Sequence, residues 1–144
     1  MIRKATTEDH PSLINTWELS VKATHDFLPQ DYFHLIKELL PAIFPSVPTY
    51  VFQKDDKIVG FLGVAENKVE MLFIHPDEFG KGIGKQLMQF AIEQLSATKV
   101  DVNEQNVNAT AFYKAIGFVV TGRSETDGLG KPFPLLHMEL KNKL

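Results

Sequence analysis

The chain has 144 residues, 44% hydrophobic and 23% charged, with a net charge of −3, which describes one ordinary domain over residues 1–144 with enough apolar side chains to bury a core. It has no cysteine, which removes disulfides, a thiolate nucleophile and cysteine metal sites, and its five histidines lack ligand spacing such as HExxH, so no metal is expected. No Lys/Arg cluster offers a nucleic-acid surface, no run nears the roughly 20 apolar residues of a membrane span, and "MIRKATTEDHPS" lacks a signal-peptide pattern, so a cytoplasmic protein with no nucleic-acid or membrane partner is expected.

"MIRKAT" reads as a first strand, after which Thr7 to Asp9 offer N-cap oxygens to a helix carrying Leu13, Ile14, Trp17 and Val21 at helical spacing. "PQDYFHLIKELLP" reads as a second helix bracketed by Pro29 and Pro41. "PAIFPSVP" carries three prolines, which fix φ and remove donors, and so reads as a rigid, irregular surface connection. "TYVFQKDDKIVGFLGVAENKVEMLFIHP" gives three strands joined by "KDDK" and "AEN", short polar turns that close antiparallel hairpins. Gly60 and Gly63 interrupt the middle strand, marking either a bulge or a close backbone approach. The rest reads as helix ("GIGKQLMQFAIEQLSA"), strand ("KVDVN"), helix ("NVNATAFYKAIG") and two strands ("FVVTGRSE", "PLLHMEL"), an α/β mixture with a mostly antiparallel sheet.

In "HPDEFGKGIGKQLMQF" the glycines at 80, 82 and 84 immediately precede a helix whose inward stripe is Ile83, Leu87, Phe90, Ala91 and Leu95. The first turn of a helix leaves N–H groups unpaired at the positive end of the dipole, and glycines there let an anion reach the backbone. Lys81 and Lys85 add positive charge. The stretch is therefore either a phosphate cradle or a plain tight turn. It is neither GxGxxG directly after a first strand nor GxxxxGK[ST], so dinucleotide-fold and P-loop readings fall away.

The chain resembles the GNAT superfamily of acyl-CoA-dependent N-acyltransferases, whose pyrophosphate motif [Q/R]xxGx[G/A] aligns with Phe79-Gly80-Lys81-Gly82-Ile83-Gly84. The second signature, NxxAxxFYxxxGF, is present as Asn106, Ala109, Phe112, Tyr113, Gly117 and Phe118. "ATHDFL", "DVNEQN" and "TGRSETDGLGKPFPLL" are similar to small bacterial acetyltransferases of that superfamily. The resemblance implies a mixed, mostly antiparallel sheet of seven strands flanked by four helices, splayed between strands 4 and 5, in keeping with the elements read above. It implies direct transfer of an acetyl group from acetyl-CoA to a primary amine, with a noncatalytic acyl-CoA-binding or sensing module as the alternative. The acceptor is left open among small amines, amino acids, antibiotics and protein amines. A homodimer is left open too, since nothing in the sequence sets the oligomeric state.

Phe79 departs from the motif, standing where the family has arginine or glutamine. The remaining phosphate contacts implied are the backbone N–H groups of residues 80 to 85, and the pantetheine arm is implied to run beside Leu72, Phe73 and Ile74. Glu70 on the fourth strand, grouped on one face with Leu72 and Ile74, and Asp101 in the middle of the fifth are the candidate bases. Glu70 is preferred. A base is required because an amine near neutral pH is protonated and only its free lone pair attacks a thioester. His25, Asp26 and Phe27, between the first two helices, are implied to line the acceptor site. His75, beside Pro76, reads as a turn residue. Tyr113 lies on the helix capped by Asn106 and closed by Gly117, at the edge of a stripe made by Ala109, Phe112 and Ile116, and the resemblance gives it the role of protonating the departing CoA thiolate.

Overall fold

A computed structural model describes residues 1–141. The elements run β1 (Ile2–Lys4), α1 (His10–Thr24), α2 (Gln30–Ser46), β2 (Thr49–Lys54), β3 (Lys57–Ala65), β4 (Lys68–Ile74), α3 (Ile83–Leu95), β5 (Lys99–Asn103), α4 (Val107–Ile116), β6 (Phe118–Ser124) and β7 (Leu135–Leu140), with 3-10 turns at Thr7–Asp9 and Pro76–Glu78. They form a seven-stranded sheet in the order β1-β2-β3-β4-β5-β7-β6. Every neighbouring pair is antiparallel except β4 and β5, which run parallel. The expected mixed, mostly antiparallel sheet is what forms.

Each face of the sheet carries its own core. Leu13, Trp17 and Val21 of α1 and Phe33, Leu40 and Phe44 of α2 close over Val51, Phe61 and Met71. On the other face Ile83, Leu87, Met88 and Ala91 of α3 and Tyr113 of α4 pack on Leu62, Val69, Val100, Val102 and Met138. The "KDDK" turn places Asp55 and Asp56 at φ 52° and 63°, the two positive angles that match a two-residue turn to the right-handed twist of its strands.

One expected loop is helix. α2 continues through "PAIFPS" to Ser46, with Pro41 and Pro45 inside it. An interior proline removes one backbone bond and crowds the carbonyl four residues back, about 3 kcal/mol. Both prolines are exposed, whereas Leu40 and Phe44 beside them are buried, and each buried large apolar side chain returns about 1.5–3 kcal/mol. Phe33, Leu40 and Phe44 keep one helical stripe across the prolines, and that stripe outweighs the local punctuation.

The two strand glycines mark close approaches beside irregularities of register. A Cβ at Gly63 would lie 2.6 Å from Met71 Cε, and one at Gly60 would lie 2.9 Å from Ile74 Cδ1. The β3–β4 register passes from Gly63↔Met71 to Val64↔Val69, leaving Glu70 without a partner. This bulge breaks the alternation of β4: Val69 and Leu72, three residues apart, both pack toward α3. The expected grouping of Glu70 with Leu72 and Ile74 therefore fails, because Leu72 and Ile74 turn inward while Glu70 is exposed.

Candidate active site

β4 and β5 stay paired only at Lys68↔Lys99 and Val69↔Val100, and beyond that vertex they part. A cleft of about 1260 Å³ opens there, lined by Leu72, Phe73 and Ile74 of β4, by Phe79 to Lys85 except Lys81, and by α4 residues from Val107 to Ile116 including Tyr113. His25 and Asp26, just past α1, close its far side. The cleft thus reaches from the start of α3 to the end of α1.

At the α3 end, the His75 imidazole accepts a bond from Asp77 N (3.1 Å) and starts the turn, the part read for it in sequence. Gly80 and Gly82 follow at φ 78° and 84°, and a Cβ on either would meet nothing within 4 Å. Left-handed backbone costs an L-residue about 1–2 kcal/mol, so glycine is what permits this path. The first helical bond runs from Gln86 N to Gly82 O (3.0 Å). The amides of Ile83, Gly84 and Lys85 therefore have no acceptor among the described residues, and they point the positive end of α3 into the cleft. Gly84 has another reason: its Cβ would lie 3.3 Å from Phe112 Cζ, so it lets α4 pack against the first turn of α3. Lys81 is 3.8 Å from Glu78, which Lys54 also holds at 2.9 Å, and Lys85 stands exposed on the lining. Phe79, 44% exposed, forms the mouth.

On α4, Asn106 Oδ1 accepts from Ala109 N (3.1 Å), and Gly117 ends the helix at φ 125°. Tyr113 is not at the edge of the apolar stripe as expected. It is the buried residue of α4, 7% exposed, whereas Ala109, Phe112 and Ile116 are half-buried along the cleft. Its ring meets Phe112 and Phe118 edge-on at 5.1 and 5.9 Å. Burial pushes its phenol far above the ordinary range, so it carries its proton at neutral pH. Among the described residues its hydroxyl has no hydrogen-bond partner.

The two carboxylates flank the vertex, each one residue past the last β4–β5 pair, and neither belongs to the lining of the large cleft. Glu70 is exposed at the bulge. Asp101 faces away from the α3–α4 core and is held by Lys68 Nζ at 2.5 Å and His137 Nδ1 at 2.7 Å. Burial pushes its carboxyl up, but the bonds from Lys68 and His137 outweigh it and hold Asp101 below the usual carboxylate range. His25 lies 2.7 Å from Thr24 Oγ1, and burial lowers its pKa despite nearby Asp26. Phe27 lies outside the lining, its ring between those of His25 and Phe133.

The structure adds residues that the sequence reading passed over. His137 Nε2 is 2.6 Å from Ser124 Oγ, extending the polar contacts of Asp101 across β7 to β6. The Tyr32 hydroxyl donates to Asp127, whose other oxygen accepts from the amides of Leu129 and Lys131, and Tyr32 stacks on Phe133 at 5.2 Å. The loop between β6 and β7 is thereby fastened to α2. Among the described residues no group of acidic or histidine side chains is arranged to hold a metal ion, and no helix is long and apolar enough to cross a membrane.

An acetyltransferase (GNAT) domain matches residues 37–141. Peptidyl-lysine N-acetyltransferase YjaB of Salmonella typhimurium is 45% identical over 138 residues, covering 95% of each chain. Its namesake in Escherichia coli is 41% identical over 138 residues, covering 95% of this chain and 94% of that one. The solution structure of apo-form YjaB from Escherichia coli superposes with a TM-score of 0.90 at 40% identity, covering 97% of this chain and 96% of that one.

Proposed function

The chain belongs to the GNAT acetyltransferase family, transferring acetyl from acetyl-CoA to an amine, and from that premise we propose that the amine is a lysine side chain of a protein. The observation that carries this reading is a single cleft holding an unpaired helix N-terminus at one end and a buried, protonated phenol in its wall. The relatives of matching length bear the name peptidyl-lysine N-acetyltransferase.

Acetyl-CoA brings the activated acyl group as a thioester. The fit is specific: open space above Gly82, free amides at Ile83, Gly84 and Lys85, and the Lys85 ammonium suit a pyrophosphate. Asn106, its Oδ1 engaged as the α4 cap, borders the same ligand path. Past the vertex, β5 leaves the backbone edge of β4 at Leu72, Phe73 and Ile74 free to bond a pantetheine amide. His25 and Asp26 border the amine's approach from the α1 side, with Phe27 behind them.

Asp101 is the base in this proposal, being anchored at the vertex where Glu70 is free in solvent. It takes the proton of the acceptor ammonium, the freed amine attacks the thioester carbonyl, and the carbon–sulfur bond breaks. The Tyr113 hydroxyl gives its proton to the leaving thiolate, and the second proton shed by the newly acylated nitrogen returns to the Tyr113 oxygen through solvent. A panel of lysine-bearing peptides, peptides with only a free N-terminus, and small amines, followed by CoA release, tests the substrate class. Turnover confined to the small amines would overturn the lysine assignment.

A further inference from the structure

Four polar side chains form one line across four strands of the sheet. Lys68 of β4 meets Asp101 of β5 at 2.5 Å, Asp101 meets His137 of β7 at 2.7 Å, and His137 meets Ser124 of β6 at 2.6 Å. The register makes this happen, because Asp101 pairs with His137. On β6 a shift between Val120 and Gly122 brings Gly122 opposite His137, where an added Cβ would lie 3.5 Å from His137 Cδ2, so the imidazole occupies the space beside the glycine. The line begins at the vertex from which the cleft opens.

We propose that His137 is a positioning residue for the acetyl-transfer base, holding Asp101 in its reactive orientation while neutral and disabling it when protonated. The proposal rests on the reading of Asp101 as that base. With both oxygens of Asp101 engaged, by Lys68 on one and His137 on the other, the carboxylate has a fixed orientation. Ser124 fixes the far side of the ring, so the imidazole cannot rotate away. Lysine, aspartate and a neutral imidazole together sum to no net charge. A proton on His137 makes the line cationic, which repels an incoming ammonium and strengthens the hold on the Asp101 carboxylate. Lys68 is held above and Asp101 below their ordinary ranges, so the imidazole is the member of the line whose protonation changes its charge. The other charges on this face are Glu70 beside Lys68 on β4, and Lys99 and Glu139, register partners two pairs along from Asp101 and His137. Ser124 and Gly122 bring no charge from β6.

The experiment is the pH dependence of kcat/KM for acetylation of a lysine peptide that the wild type turns over, in wild type, His137→Gln, Ser124→Ala and Asp101→Asn, each checked for a native thermal transition. Glutamine keeps a donor to Asp101 but does not titrate. The ratio of His137→Gln to wild type should rise about five- to tenfold from pH 8 to pH 5.5, because glutamine cannot take up the proton that disables Asp101. The amine's own ionisation cancels in that ratio. Ser124→Ala should lower kcat/KM severalfold at every pH while keeping the wild-type acid limb. A flat ratio in His137→Gln, or wild-type rates in Ser124→Ala, overturns the inference even if Asp101→Asn is inactive. Full activity in Asp101→Asn overturns the base assignment and the inference with it.

Discussion

Gly82→Ala and Gly128→Ala form a matched pair that isolates what the start of α3 demands of its backbone. At both positions an added Cβ meets nothing within 4 Å, so neither substitution creates a clash. They differ in conformation: Gly82 sits at φ 84° and ψ 7°, while Gly128 is not among the glycines with positive φ. Replacing glycine by alanine restricts the unfolded chain by about 0.4–1 kcal/mol in either case, and that gain cancels in the comparison. What remains is the left-handed penalty of about 1–2 kcal/mol. At about 4 °C per kcal/mol for a chain of this size, Gly82→Ala should melt about 4–8 °C below Gly128→Ala. Thermal denaturation measures the gap, and repeating it with CoA measures function. The methyl group would project into the open space assigned to the pyrophosphate, so CoA should raise the melting temperature of Gly128→Ala and barely move that of Gly82→Ala. Melting within 1 °C of each other would show that the left-handed turn is not imposed, and an intact CoA-induced rise in Gly82→Ala would refute the cradle.

Phe79→Arg should tighten CoA binding about three- to tenfold by adding a charge-assisted donor at the cleft mouth, and calorimetry showing weaker binding would mean that the ring itself packs on the cofactor. Tyr32→Phe removes the bond to Asp127 and keeps the stack on Phe133, so it should cost about 1 kcal/mol. An unchanged denaturation midpoint would show that this tether contributes nothing to stability. Asp9 bonds Arg3 in two places (2.8 and 3.0 Å) and accepts from Thr6 N (2.8 Å), which holds its carboxyl far below the ordinary range. Because the folded pKa is the lower one, this stability is complete above the unfolded carboxylate's pKa near 4 and is lost as pH falls below it. Acid denaturation should therefore be shallower in Asp9→Asn than in wild type below about pH 4, and parallel curves would contradict it.

Patterns carried by adjacent residues were legible in the sequence, while pairings between distant segments were not. The glycines at 80 and 82, the cap at Asn106 and the stop at Gly117 act within a turn of themselves, and they appear in the structure where the sequence places them. α2 was misjudged at Pro41 because proline is a local signal, whereas the packing of Leu40 and Phe44 that overrides it is tertiary. The bulge at Glu70 turns a simple alternation into two inward residues three apart, and its cause is a register with β3. Asp101 and His137 are 36 positions apart and Tyr32 and Asp127 are 95 apart, so both contacts needed the topology to be known first. Tyr113 was found as a motif residue but misplaced on its helix, because α4 buries the tyrosine and turns Phe112 to the cleft and to Gly84.

The most direct test of the transfer mechanism is the steady-state rate of Tyr113→Phe with saturating acetyl-CoA and a lysine peptide, in a regime where chemistry is shown to limit turnover. The substitution removes only the oxygen, and the edge-on contacts with Phe112 and Phe118 remain. A positioned general acid contributes about 10² to 10⁴ in rate, so kcat and kcat/KM should fall together by that factor while CoA affinity and melting temperature hold. Wild-type kcat across the pH range in the folded variant would contradict the assignment and leave Tyr113 as a packing residue.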